Sequence, residues 1–308
     1  MNQARVALIL AAASWGLGTV VAKRAVSELA PVTLLAIQLG ASLLVLVVLM
    51  RWRGLPLRDP TAPPILGRLG LLNPGLAYAL SLLGLVHISA SLSVLLWATE
   101  PLLILVLAGW VLRERVPPMV AGLLLVAAAG MALVIALPDG DPSGLGVLLT
   151  MAGVVCCAIY TVATRRWING ADSTAQVVLS QQAHAFGLAL LAVLAIAITG
   201  TAVLPVAVSA AGWASAAVSG VLYYGLAYWF YLSALRRLPA PVAASTFFLI
   251  PVFGLAGGLV LLGERLSPGQ WLGVAIVAAA VVGILGRTAL TLAGHAKAPV
   301  GIEAAGLD

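Results

Sequence analysis

The chain has 308 residues, 62% of them apolar and only 8% charged, with a net charge of +6. Soluble domains carry about 25% Asp, Glu, Lys and Arg, so this chain has too few charges to cover a water-facing globule, and its apolar richness excludes a disordered chain. A polytopic membrane protein remains. The positive charge forms no dense basic run, which argues against nucleic acid as a partner.

Apolar runs bounded by charges, Pro or Gly predict an all-α membrane protein with ten transmembrane helices. They lie near 5–23, 31–50, 66–86, 89–112, 117–137, 144–165, 173–199, 211–235, 241–262 and 268–287. A span needs about 20 apolar residues, and lipid offers no partner for unpaired backbone groups, so continuous apolar runs must be helical. Arg5 and the Ala-rich run behind it resemble a secretory signal. The length of that run, the Lys23-Arg24 pair after it and the recurrence of a similar segment inside the chain favour a retained first span. Cys156 and Cys157 are adjacent and carry neither disulfide nor metal spacing. The tail from 289 to 308 reads as flexible.

Alternating these spans across a bilayer sorts the basic residues. Arg5, Arg51, Arg53, Arg58, Arg68, Arg113 and Arg115 fall on one side. Arg165, Arg166, Arg236, Arg237, Arg287 and Lys297 join them, and only Lys23, Arg24 and Arg265 face the other way. The positive-inside rule then places both termini in the cytoplasm of a bacterial-type inner (plasma) membrane.

At an offset of 150 the chain matches itself. Gly75-Leu76-Ala77-Tyr78 recurs as Gly225-Leu226-Ala227-Tyr228, Pro101 as Pro251, Glu114-Arg115 as Glu264-Arg265 and Pro118 as Pro268. At an offset of 142, Thr19-Val20 and Lys23-Arg24 align with Thr161-Val162 and Arg165-Arg166. The reading is a five-helix repeat over 1–137, a connecting loop over 138–143 and a second five-helix repeat over 144–288. Because five is odd, the second copy enters the membrane from the opposite side. Such inverted repeats build a midplane site with two mirror-related states, one open to each face.

These matches, with Trp15-Gly16, Tyr160-Thr161 and the Leu-Arg-Glu-Arg and Leu-Gly-Glu-Arg turns at 112–115 and 262–265, resemble the drug/metabolite transporter (DMT) superfamily. The resemblance is to its ten-helix EamA-type form, over residues 5–287, and most of all to YddG-type exporters of aromatic amino acids. It implies a central cavity lined chiefly by spans 1, 3, 4, 6, 8 and 9, with spans 5 and 10 peripheral. Arg113 departs from the pattern where the second copy has Gly263.

Glu100 is the one acid deep inside a span, and its repeat counterpart is Ile250. Mid-bilayer charge costs at least ~2.5 kcal/mol, so such a group faces a cavity or a partner. It reads either as a counter-charge for a substrate ammonium or proton, or as a neutral acid tying helices together. Helical spacing puts Ser93 and Trp97 on its stripe, and aligns Tyr224, Tyr228 and Tyr231 on span 8. Trp15, Asn73, Tyr78, Tyr160, Gln181, His184 and Phe248 complete the candidate substrate cavity. Other aromatics, Tyr223 and several Trp among them, suit either a cavity or the interfacial belt. Pro74, Pro101 and Pro251 interrupt helical patterns and are candidate kinks or hinges.

The three histidines lie apart without metal-ligand spacing, and no nucleotide motif is complete. The expectation is therefore a non-enzymatic secondary exporter of small amphipathic metabolites, aromatic and other amino acids first, working by alternating access. It needs no cofactor or metal. Its partners would be a small-molecule substrate and membrane lipids, with the chain a monomer. The alternatives are a DMT-type carrier of another solute (a drug-like cation, a nucleoside or another metabolite) and, further off, a membrane-embedded lipid-modifying enzyme.

Overall fold

The computed structural model describes residues 2–85, 87–88, 96–114, 116–134, 143–171, 173–199, 207–262 and 267–296. Ser93, Arg115, Glu264, Arg265, Lys297 and most of the 138–143 loop lie outside the described residues. The described residues are predominantly helical, with no strand among them. In chain order the helices are α1 (Asn2–Glu28), α2 (Pro31–Trp52), α3 (Pro64–Gly70), α4 (Ala77–Leu85), α5 (Glu100–Leu107) and α6 (Pro118–Val134). Then follow α7 (Gly144–Trp167), α8 (Thr174–Ile198), α9 (Ala210–Gly220), α10 (Ala227–Leu235), α11 (Ala240–Ala244), α12 (Leu249–Leu262) and α13 (Pro268–Ala296).

Five stretches are long and apolar enough to cross a membrane as unbroken helices: Gln3–Ala22, Pro31–Trp52, Gly144–Gly170, Thr174–Ile198 and Pro268–Arg287. The other predicted spans are interrupted or shorter. The segment predicted at 66–86 runs as α3, a π-helical turn at Leu71–Leu76, and α4; the one predicted at 211–235 runs as α9, a π-helical turn at Val221–Leu226, and α10. Asn73 leaves helical geometry altogether (φ −147°, ψ 124°), as a residue before proline tends to. The segment predicted at 241–262 divides into α11, a 3₁₀ turn at Ser245–Phe248 and α12.

Pro101 and Pro251, the other candidate kinks or hinges, stand in the first turns of α5 and α12. A first-turn proline costs no hydrogen bond, because those N–H groups have no intrahelical acceptor. These prolines start a helix after a break. At the C-terminus α13 continues to Ala296, past the predicted start of the tail, because Ala289, Leu290, Leu292 and Ala293 all favour helix.

Packing repeats between the halves. The α3–α4 segment packs on α7 and α8; its second-half counterpart, α9–α10, packs on α1 and α2. Likewise α12 lies on α1 and α5 on α7, while α2 pairs with α8 and α6 with α13. Glycine permits the closest of these approaches. A Cβ on Gly70 would fall on the Gln181 backbone, and one on Gly220 would fall on the Gln38 backbone. Gly16 likewise lets α1 approach the backbone of Ile250 and Gly254. Lipid supplies no hydrophobic drive between apolar helices, so small residues that bring backbones close are what hold them together.

A central aromatic cavity with one buried acid

The interrupted segments surround a cavity of about 350 Å³, within the range that holds small molecules. Trp15 and Thr19 of α1 line it with Asn73, Tyr78 and Ser81 of the α3–α4 segment; Trp97, Glu100 and Pro101 contribute from around the start of α5. Cys157, Tyr160 and Thr161 of α7, Tyr223, Tyr228 and Tyr231 of the α9–α10 segment, and Phe247, Phe248 and Pro251 close the ring. One residue of α6, Met131, reaches the lining, although the resemblance placed that helix at the periphery.

The chain has six tyrosines, and all of them gather here. Five line the cavity, and Tyr224 backs it, 5.7 Å from the Tyr78 ring and 6.4 Å from Tyr228. Tryptophan divides differently. Trp15 and Trp97 line the cavity, whereas Trp52, Trp110, Trp167, Trp213, Trp229 and Trp271 are exposed, as interfacial anchors are. Tyr223 therefore joins the cavity and not the belt.

The rings brace one another. Trp15 meets Tyr228, Tyr231 and Phe247 edge-on at 5.5, 5.6 and 5.5 Å, and Tyr78 stacks on Trp97 at 5.8 Å. Each such pair adds about 0.5–1.5 kcal/mol beyond its buried area. Polar tips are largely committed: Tyr228 donates to Asn73 Oδ1 at 3.0 Å and Tyr160 to Gln181 Oε1 at 2.8 Å. Trp15 Nε1 and Ser81 Oγ are buried with no hydrogen-bond partner among the described residues.

Glu100 is 7% exposed and is the only charged residue among those lining the cavity. It is the first residue of α5, where the positive end of the helix dipole favours a carboxylate. No Lys, Arg or His lines the cavity among the described residues, so nothing basic there competes for the acid.

Three residues expected at the cavity lie elsewhere. Gln181 is fully buried beside it, donating to the Leu66 carbonyl at 2.9 Å while it accepts from Tyr160; it supports the wall. His184 packs by Gly67, its Nδ1 2.7 Å from the Ser180 carbonyl. Tyr224 stands behind Tyr228. Pro74, read as a kink or hinge, follows the non-helical Asn73 within Leu71–Leu76. Thr19 and Ser81 were missed from sequence, although they follow Trp15 by four and Tyr78 by three positions on the same helical faces. Met131 carries no such signal. Among the described residues no cluster of three or more His, Cys, Asp or Glu could hold a metal.

No functionally curated protein shows significant sequence similarity to the chain. A solved crystal structure superposes with a TM-score of 0.76 at 19% identity, over 95% of this chain and 99% of that one, a likeness of fold. The model of the EamA-like transporter family matches twice, over residues 4–136 and 144–286. The chain thus belongs to the EamA-like transporter family within the DMT superfamily, and is an integral membrane carrier of a small solute built from two copies of one unit.

Proposed function

We propose that the chain is a secondary exporter of small amphipathic metabolites, aromatic and other amino acids first among them. It would work by alternating access of ten helices arranged as two inverted five-helix repeats, with both termini in the cytoplasm. The observation that carries this reading is the lone buried carboxylate of Glu100 in a cavity walled by five tyrosines and two tryptophans. Glu100 takes the substrate ammonium, the aromatic rings accept a flat apolar side chain, and the free Trp15 Nε1 and Ser81 Oγ donate to the substrate carboxylate. The chemistry asked of the protein is binding and release only. Its two states differ in which face the cavity meets, and a substrate shifts them only through its differential affinity.

The test is flux of radiolabelled phenylalanine and tryptophan in proteoliposomes carrying Glu100→Gln. The expected result is a loss of at least about tenfold, the equivalent of 1.4 kcal/mol; unchanged flux removes the counter-charge role. A second reading has its own support. With no cationic side chain in the lining, an amine lacking a carboxylate would meet Glu100 without leaving an anion to satisfy. Comparing tryptamine with tryptophan in the same vesicles separates a cation carrier from an amino-acid carrier.

A further inference from the structure

A second charged group of residues, outside the cavity lining, joins the ends of the helices that wall it. Arg165, near the C-terminus of α7, donates from Nε to Glu114 Oε1 at 3.1 Å. Its Nη1 donates to the Leu235 and Arg236 carbonyls at 3.0 and 3.2 Å, the exposed C-terminal acceptors of α10. The other Glu114 oxygen accepts from the Ala240 N–H at 2.9 Å, at the start of α11. Arg236 extends the group to the start of α8, bonding the Ala171 carbonyl at 2.7 Å and Thr174 Oγ1 at 3.1 Å. The Arg165 and Glu114 side chains are 20% and 17% exposed, and charge-assisted bonds this sheltered are stronger than surface ion pairs.

The cavity ends just short of this group. On α7 its lining runs from Thr161 and Tyr160 back to Cys157, away from Arg165; on the α9–α10 segment it runs from Tyr231 back to Tyr223, away from Leu235. Beyond α11 it runs from Phe247 to Gly254, away from Ala240. Tyr160, Tyr231 and Phe248 are each 1% exposed. Tyr160 and Tyr231 stand on the same helices as the charged group, roughly one turn before it.

The repeat supplies a counterpart. Lys23 stands at the position of Arg165 at offset 142, and Glu264 at that of Glu114 at offset 150. Both partners recur with their charge although Glu100 does not, so the pair is a property of the repeated scaffold and not of the cargo. We infer that Glu114 and Arg165 are a latch holding the cavity shut on the arginine-rich face, and that transport requires this latch to open. The inference rests on the alternating-access reading above and names the residues that time it.

Native Cys157 lines the cavity and makes the test independent of the cargo. In a Cys156→Ser background it is the sole thiol of the chain, and a membrane-impermeant cationic methanethiosulfonate reports which face reaches it in right-side-out and inverted vesicles. The parent should label from the face away from the arginines. Arg165→Gln, which leaves the Glu114 bond to Ala240 in place, and Glu114→Gln should each speed labelling from the arginine face by about tenfold, the size of shift an inter-state bias of 1.4 kcal/mol produces. Gel filtration of each variant separates unfolding from opening, and the Glu114→Arg/Arg165→Glu double variant, which restores opposite charges, should recover part of the parental sidedness. Parental labelling unchanged in folded Arg165→Gln and Glu114→Gln overturns the latch while leaving the cavity reading intact. A Cys157 unreachable from either face in every variant overturns alternating access itself.

Discussion

Two π-helical turns, Leu71–Leu76 and Val221–Leu226, occupy equivalent positions in the two halves, yet only the first contains a proline. The first reads Leu-Leu-Asn-Pro-Gly-Leu and the second Val-Leu-Tyr-Tyr-Gly-Leu. The turns also differ in backbone: Asn73, before Pro74, leaves helical geometry in the first, whereas no residue of the second does. What the copies share is a glycine before the turn, Gly70 or Gly220, against which a glutamine backbone lies, Gln181 or Gln38. A second shared glycine, Gly75 or Gly225, is inside the turn. Close backbone contact between halves accompanies the wide turn in both, and the side chains at its centre are free to differ: Asn73 accepts a hydrogen bond where Tyr223 and Tyr224 supply aromatic surface. The repeat conserves a backbone device and varies the chemistry mounted on it.

The strongest challenge to that equivalence is steric. Gly70→Val and Gly220→Val should each abolish the folded, monodisperse protein in fluorescence-detected size exclusion, because overpacking against a rigid backbone costs upwards of about 3 kcal/mol. Sensitivity in only one half would break the comparison. The next test asks where the halves differ. Gln181→Leu strands the Tyr160 hydroxyl and the Leu66 carbonyl, and a buried unsatisfied group costs about 1–3 kcal/mol. Gln38→Leu removes the donor to Ser219 Oγ at 2.9 Å, but Ser219 keeps its own bond to the Ala216 carbonyl. Thermal melts in detergent should therefore show the larger loss for Gln181→Leu.

The smallest effect concerns a helix end outside the spans. Glu28 accepts from the Ser209 N–H and hydroxyl and from Arg24 Nε at 2.7, 2.9 and 2.7 Å. The Ser209 N–H, then Arg24 and the Ser209 hydroxyl, hold its carboxyl below the usual carboxylate value. A depressed folded pKa gives stability that is present above the unfolded value and lost as pH falls through the folded one. The melting difference between the parent and Glu28→Gln should thus be constant near neutrality and vanish in acid.

Glu100, Trp15, Tyr78, Trp97 and Tyr228 were legible as cavity residues because polar and aromatic groups inside apolar helices have few other places to go. Gln181 met the same rule by a different route, buried against another helix, and His184 by bonding its own backbone at Ser180. One sequence does not tell these outcomes apart, since helical spacing gives a face and not what packs on it. Ser81 was overlooked for the converse reason: a lone hydroxyl in an apolar run is cheap to bury by bonding its own helix, and only the assembled bundle shows its Oγ without a partner.

Composition and periodicity by themselves determined a membrane-embedded helical chain built from two copies of one unit, because bilayer physics leaves an apolar chain few choices and a repeat survives as matching letters at fixed offsets. Tertiary structure alone decided which helices stay whole and which divide around the cavity, that all six tyrosines meet there, and that Arg165 and Glu114 form an ion pair. Those outcomes depend on contacts between segments remote in the chain, where glycine gaps and helix ends meet partners that no local pattern specifies.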